Sequence, residues 1–185
     1  MKKTKIIVCF LFLCILLSAC KSNYYDDPEE VPLIKNSIDE LIDAIKDAKL
    51  GKAQYGNNIA ELDSIIIPDF DDEGYYLFQV EVNDNYFFYY YVPDSLKPEE
   101  AYIHHGRDLI VTVCRSKNIS ADNPLEPLTE QLHIMPDEDG FLFNGDQNDL
   151  TFAYENTWVC FEFPDTYQNY DEMKKMCKVK TIEIK

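Results

Sequence analysis

Residues 75–92 read YYLFQVEVNDNYFFYYYV, and this stretch decides the fold. Two aromatic and β-branched runs, Tyr75 to Val82 and Tyr86 to Val92, flank Asn83-Asp84-Asn85. Such residues fit a pleated surface, and an Asn/Asp cluster between two such runs marks a hairpin. A three-residue loop pairs Val82 with Tyr86. That register puts Tyr76, Phe78, Val80 and Val82 on one face with Tyr86, Phe88, Tyr90 and Val92. The face is wholly apolar or aromatic, as a core face requires. The opposite face gathers Leu77, Gln79 and Glu81 with Phe87, Tyr89 and Tyr91. Left open to solvent, Phe87, Tyr89 and Tyr91 form a platform able to stack sugars or a peptide. The preferred reading buries these three under a helix or another strand, because a two-faced sheet must cover an amphipathic helix somewhere.

That helix lies on the N-terminal side. Ile34, Ile38, Leu41, Ile45 and Ala48 recur at three and four residues, with Ile42 beside them, so one stripe is apolar. Ser37-Ile38-Asp39-Glu40 fits a capping box, with a start as early as Leu33, and Gly51 suits the stop. Between helix and hairpin, Ser64 to Ile67 reads as a short strand closed by Pro68.

Beyond the hairpin, Leu109 to Cys114 alternates as a strand and Ser116 to Pro127 as a loop. Short strands follow near Glu130 to Met135, Gly140 to Phe143, Leu150 to Tyr154 and Trp158 to Phe163. Turn residues separate them. Asn169-Tyr170-Asp171-Glu172 caps a short helix to about Cys177, and Val179 to Ile184 is a last strand. The order predicts an α+β domain over residues 33–185. A single antiparallel sheet of several short strands carries a long N-terminal helix on one face, with a short C-terminal helix.

Chemistry-bearing patterns are few. Asp69-Phe70-Asp71-Asp72-Glu73-Gly74 supplies oxygens at alternate positions before a glycine, so Asp69, Asp71 and Glu73 are candidate ligands for a divalent cation. A calcium loop then needs a bidentate Glu at its twelfth position, where Val80 stands, so two solvated turns between strands is the preferred reading of this segment and of Asp137-Glu138-Asp139-Gly140. Three histidines occur, His104, His105 and His133, none in a nucleophile or zinc motif. No catalytic residue and no cofactor is expected.

The N-terminus gives an address. Lys2, Lys3 and Lys5 precede an apolar run of twelve residues, Ile6 to Leu17, then Ser18, Ala19 and Cys20. This is the plan of a secretory signal. A spanning helix needs about 20 residues, so twelve is too short to cross. Leu17-Ser18-Ala19-Cys20 resembles the lipobox of bacterial lipoproteins. The resemblance implies cleavage before Cys20, a diacylglyceryl group on its sulfur, and a place on the extracytoplasmic side of the cell membrane. Residues 1–19 are then the signal peptide and residues 20–32, acidic and with two prolines, a lipidated tether. Two acyl chains hold where one is marginal. The mature domain, from its helix-then-hairpin start to its Trp158 strand and Asp171-Glu172-Met173-Lys174-Lys175 helix, is similar in pattern to uncharacterised small lipoproteins of Gram-positive anaerobes. That likeness implies no activity.

Removing residues 1–19 removes three lysines and takes the formal charge from −17 to −20. A chain this acidic offers no cationic counterion release, so nucleic acid is not an expected partner. The expected partners are the membrane, through the lipid, and an unidentified ligand of the envelope or a protein. Three cysteines follow the anchor: Cys114, Cys160 and Cys177. Alternation puts Cys114 opposite Leu109, Val111 and Val113, and Cys160 opposite Val159, Phe161 and Phe163. The two can pair if their strands are neighbours, but three reduced thiols is the preferred reading. Two functions fit: a non-enzymatic binding or interaction module, or a cell-envelope hydrolase that uses acidic residues.

Overall fold

Cross-strand pairing of the hairpin sets the architecture. A computed structural model describes residues 32–52, 58–70, 74–83, 86–97, 108–114, 123–155 and 157–185, all within one unit, Val31–Lys185. The expected signal peptide, Cys20 and most of the tether lie outside the described residues, as do Asp71, Glu73, His104 and His105.

Strands β3 (Tyr75–Asn83) and β4 (Tyr86–Pro93) pair antiparallel, Asn83 with Tyr86, Val82 with Phe87 and Val80 with Tyr89. The expected partner of Val82 was Tyr86, so the register is corrected by one residue. In a sheet one residue flips every side chain to the other face. Val80, Val82, Phe87, Tyr89 and Tyr91 therefore point inward and are buried. Tyr86, Phe88 and Tyr90 point outward. A bulge between Leu77 and Gln79 leaves Phe78 as the extra residue in β3.

Around this pair runs a seven-stranded antiparallel sheet in the order β1-β3-β4-β5-β8-β7-β6. Its other members are β1 (Leu33–Lys35), β5 (Leu109–Cys114), β6 (Phe141–Asn144), β7 (Asp149–Tyr154) and β8 (Thr157–Glu162). The inner face adds Leu109, Val111 and Val113 from β5, Val159 and Phe161 from β8 and Leu150 from β7, all buried. A second layer covers it. Helix α1 (Ile38–Lys49) contributes Leu41, Ala44 and Ile45, a 3-10 turn (Asn58–Glu61) contributes Ile59, and helix α3 (Tyr170–Met176) contributes Met173 and Met176. Completing that layer is a separate two-stranded sheet of β2 (Ser64–Pro68) and β9 (Val179–Glu183), paired Ser64 with Glu183 through Pro68 with Val179. The expectation of one sheet is thus corrected: the last strand pairs outside the main sheet.

Local signals explain the helix ends. Ser37 Oγ accepts from the Glu40 amide at 3.2 Å, and Glu40 Oε2 accepts from the Asn36 amide at 3.1 Å. This reciprocal cap starts α1 at Ile38, and the residues before it form β1. The helix is 12 residues, shorter than expected, and Ile34, counted in its stripe, is half exposed on β1. Gly51 stops it with φ +71°, its amide donating to Ala48. Of the residues expected as a strand near Glu130 to Met135, Glu130, Gln131 and Leu132 belong instead to helix α2 (Glu126–Leu132), and the other three are in neither helix nor strand. Pro127 suits the first helical turn, where no amide is required, and His133 ends the helix in the left-handed region at φ 56°. Asn169 caps α3, accepting from the Asp171 and Glu172 amides.

Candidate functional site

The register turns a second set of rings to the face of the main sheet that lies opposite the inner one, and Tyr86, Phe88, Tyr90 and Trp158 stand there. Three rows cross the strands on this face. The first aligns Tyr86, Cys114, Trp158 and Ala153. A second aligns Glu81, Phe88, Thr112, Cys160, Thr151 and Leu142. The third aligns Gln79, Tyr90, Ile110, Glu162 and Asp149.

At one end the rings touch. Tyr86 stacks on Phe88 with centroids 6.0 Å apart and meets Trp158 edge-on at 6.1 Å. Tyr86 is 38% exposed, while Phe88, Tyr90 and Trp158 are half-buried. Towards the other end stand acids. The Tyr90 hydroxyl donates to Glu81 Oε2 at 3.4 Å, and Glu162 is exposed on β8. Burial, with Glu81 and then Glu162 nearby, raises the Tyr90 hydroxyl above its ordinary value. Beside Glu162, Asp149 is buried and accepts from Asn144 Nδ2 at 3.3 Å. Burial pushes its carboxyl up to about 6, and the charge of Glu162 adds to this against the Asn144 hydrogen bond. None of the residues aligned in these three rows is Lys or Arg. The face is only partly open, since Cys114, Leu142 and Thr151 on it are buried.

The sequence-derived candidates sit elsewhere. Phe87, Tyr89 and Tyr91 are core: their exposures are 1%, 0% and 8%, and the Tyr89 hydroxyl donates to the Ile66 carbonyl of β2 at 2.8 Å. They form no surface platform, because the second layer lies over them. The partly exposed rings lie one register position away, at Tyr86 and Phe88, and Trp158, which no motif singled out, touches Tyr86 there. Asp69 Oδ1 accepts from Lys180 Nζ at 2.6 Å, so an ammonium already occupies the oxygen proposed for a cation. Asp71 and Glu73 lie outside the described residues. Among those described, no group of three or more His, Cys, Asp and Glu side chains is arranged to hold a metal ion.

The second acidic turn is a structural clasp. Asp137 Oδ1 accepts from the Asp139 and Phe141 amides, and Oδ2 from the Tyr170 hydroxyl at 2.6 Å and Lys174 Nζ at 2.8 Å. Lys174 also pairs with Asp139 and lies over the Phe141 ring at 5.0 Å. Burial alone raises the Asp137 carboxyl, but donation from Lys174, Tyr170 and the two amides outweighs it and holds the group well below the usual carboxylate range. The turn thus ties the β6 edge to α3.

None of the three described cysteines, Cys114, Cys160 and Cys177, is in a disulfide. Cys114 pairs with Trp158 and Cys160 with Thr112, so the two thiols sit diagonally on neighbouring strands. Burial, with Asp149 adjacent, pushes the Cys160 thiol up to about 12, and burial raises Cys177 further still. Neither is an activated nucleophile. A cavity of about 210 Å³ lies between β2 and the inner face, lined by Glu61, Asp63, Ser64, Phe87 and Val113 among others. Ligand sites usually occupy about 300 to 1,000 Å³, so it is small for one. None of the described helices is long and apolar enough to cross a membrane. No protein-family model matches the chain, and neither a curated protein nor a solved structure matches it.

Proposed function

We propose that this chain is a lipid-anchored, extracytoplasmic binding module that presents the outer face of its sheet to a ligand. The observation that carries the address is the stretch from Lys2 to Cys20: three lysines, twelve apolar residues and Leu17-Ser18-Ala19-Cys20. The outer face supports the binding role. Contiguous partly exposed rings on one face of a domain are the kind of surface that interaction sites use. Intact mass of the membrane-extracted native protein, before and after lipase treatment, tests the anchor. The expected mass is that of Cys20–Lys185 plus a diacylglyceryl group. An unlipidated mass, or unchanged membrane retention of Cys20→Ser, overturns it.

The pair Asp149 and Glu162 favours a second reading, a cell-envelope hydrolase. Two carboxyls directly opposed across neighbouring strands, one held protonated to higher pH than usual, are the raw material of acid–base chemistry. Turnover of a cell-wall polysaccharide that is lost in both Asp149→Asn and Glu162→Gln would establish it. Turnover untouched by both removes it.

A further inference from the structure

We infer that the outer face is a docking surface for a basic peptide segment, its lysine stems lying over Tyr86, Phe88 and Trp158 and its ammonium groups reaching Glu81 and Glu162. The inference rests on the binding-module reading and names its ligand. Three observations carry it.

The first is charge. Glu81, Glu162 and Asp149 share the face, and none of the residues aligned in its three rows is basic. The whole chain carries −17. An anionic partner is repelled at long range and a cationic one is steered in. The second is ring chemistry. Aromatic faces attract ammonium and guanidinium groups through their quadrupole, and the apolar stem of lysine packs on the same rings. Tyr86, Phe88 and Trp158 form one contiguous group on this face. The third is shape. The surface is pleated and crossed by successive strands, with neighbours about 4.8 Å apart, so the rings at Tyr86 and the carboxylate at Glu162 are separated along as well as across the strands. An extended peptide, whose alternate side chains fall about 7 Å apart, spans that distance better than a compact small molecule does.

The chain carries its own reporter. Trp158 is the one tryptophan in the sequence and lies on this face, so its emission reads occupancy directly. The test titrates the full chain, held in detergent micelles, with a deca-lysine peptide, a deca-glutamate peptide and neutral cellohexaose. Deca-lysine is expected to shift Trp158 emission saturably, and deca-glutamate to leave it unchanged. Tyr86→Ala and Glu162→Gln should each weaken the lysine peptide about fivefold, the value of one good cation–ring or charge contact. Asp47→Asn, on the exposed side of α1, should change it less than twofold. Equal weakening by Glu162→Gln and Asp47→Asn overturns the inference, since net charge alone then binds the peptide. A shift with cellohexaose and none with deca-lysine overturns the cationic ligand and leaves the binding module standing. No shift with any probe removes the outer face as the site, and the binding reading with it.

Discussion

Adjacent tyrosines on one strand should lose very different amounts of stability on the same truncation. Tyr89 is fully buried on the inner face, with its hydroxyl donating to Ile66, whereas Tyr90 is half-buried on the outer face and bonds Glu81 at a long 3.4 Å. A buried tyrosine removes roughly 200 Å² from water. At about 25 cal/mol per Å² that is about 5 kcal/mol, of which an alanine in its place retains a part. Truncation of a core aromatic ring accordingly costs about 3 to 5 kcal/mol. The Ile66 carbonyl, left without the hydroxyl, adds about 1 kcal/mol. Tyr90→Ala removes a half-exposed ring and a marginal hydrogen bond, for about 1 kcal/mol. Urea denaturation followed by circular dichroism separates the two. With a slope of about 2 kcal/mol per molar, the midpoint falls by about 2 to 3 M for Tyr89→Ala and by about 0.5 M for Tyr90→Ala. Should Tyr89→Ala not fold at all, Tyr89→Phe keeps the ring, loses the hydroxyl and lowers the midpoint by about 0.5 M. A larger loss for Tyr90→Ala than for Tyr89→Ala would refute the register and, with it, the assignment of inner and outer faces.

Three further outcomes follow from the same geometry. Asn148 holds φ 53° and its Nδ2 donates to the carbonyls of Phe163, Pro164 and Tyr167. Asn148→Ala should cost about 2 to 3 kcal/mol in equilibrium unfolding, and a loss below 0.5 M of urea midpoint would show that the three bonds contribute little. Asp149 has a folded pKa near 6, above its unfolded value of 3.8, so its stabilising contribution is full below the unfolded value and is lost as pH rises through 6. The melting temperature of Asp149→Asn relative to the parent should therefore climb between pH 4 and pH 7. A constant difference sinks the argument. Under denaturing, non-reducing conditions the domain from residue 33 onward should give three titratable thiols, and a count of one would demonstrate a disulfide.

Much of the fold is legible in the residues. Ser37 and Glu40 fix the start of α1, Asn169 fixes α3, and alternation locates β5, β7 and β8 within a residue or so. The hairpin itself is also plain, but its register is not. Alternation determines a register only when one face is polar, and here Phe87, Tyr89 and Tyr91 interleave with Tyr86, Phe88 and Tyr90, so either choice yields an apolar inner face. The bulge at Phe78 blurs the phase further. Pairing of β2 with β9 joins segments more than a hundred residues apart, and nothing local in either strand encodes it. The outer ring cluster is not legible for a related reason. Trp158 reaches Tyr86 only because β5 and β8 are neighbours, a fact of strand order that adjacent residues do not carry.

Strand β1 has a mechanical meaning. It is three residues long, pairs only Leu33, Ile34 and Lys35 with β3, and lies at the edge of the sheet, where the chain arrives from its N-terminal side. Any tension carried by that leading segment enters the domain through these three pairs before it reaches another strand. A short edge strand has few bonds to share a load, so β1 is the first element to peel when the chain is pulled from that end. Its loss strips Leu33 from the core and bares the Val80–Val82 edge of β3. The domain thus has its weakest edge pairing at the end where the chain enters the sheet.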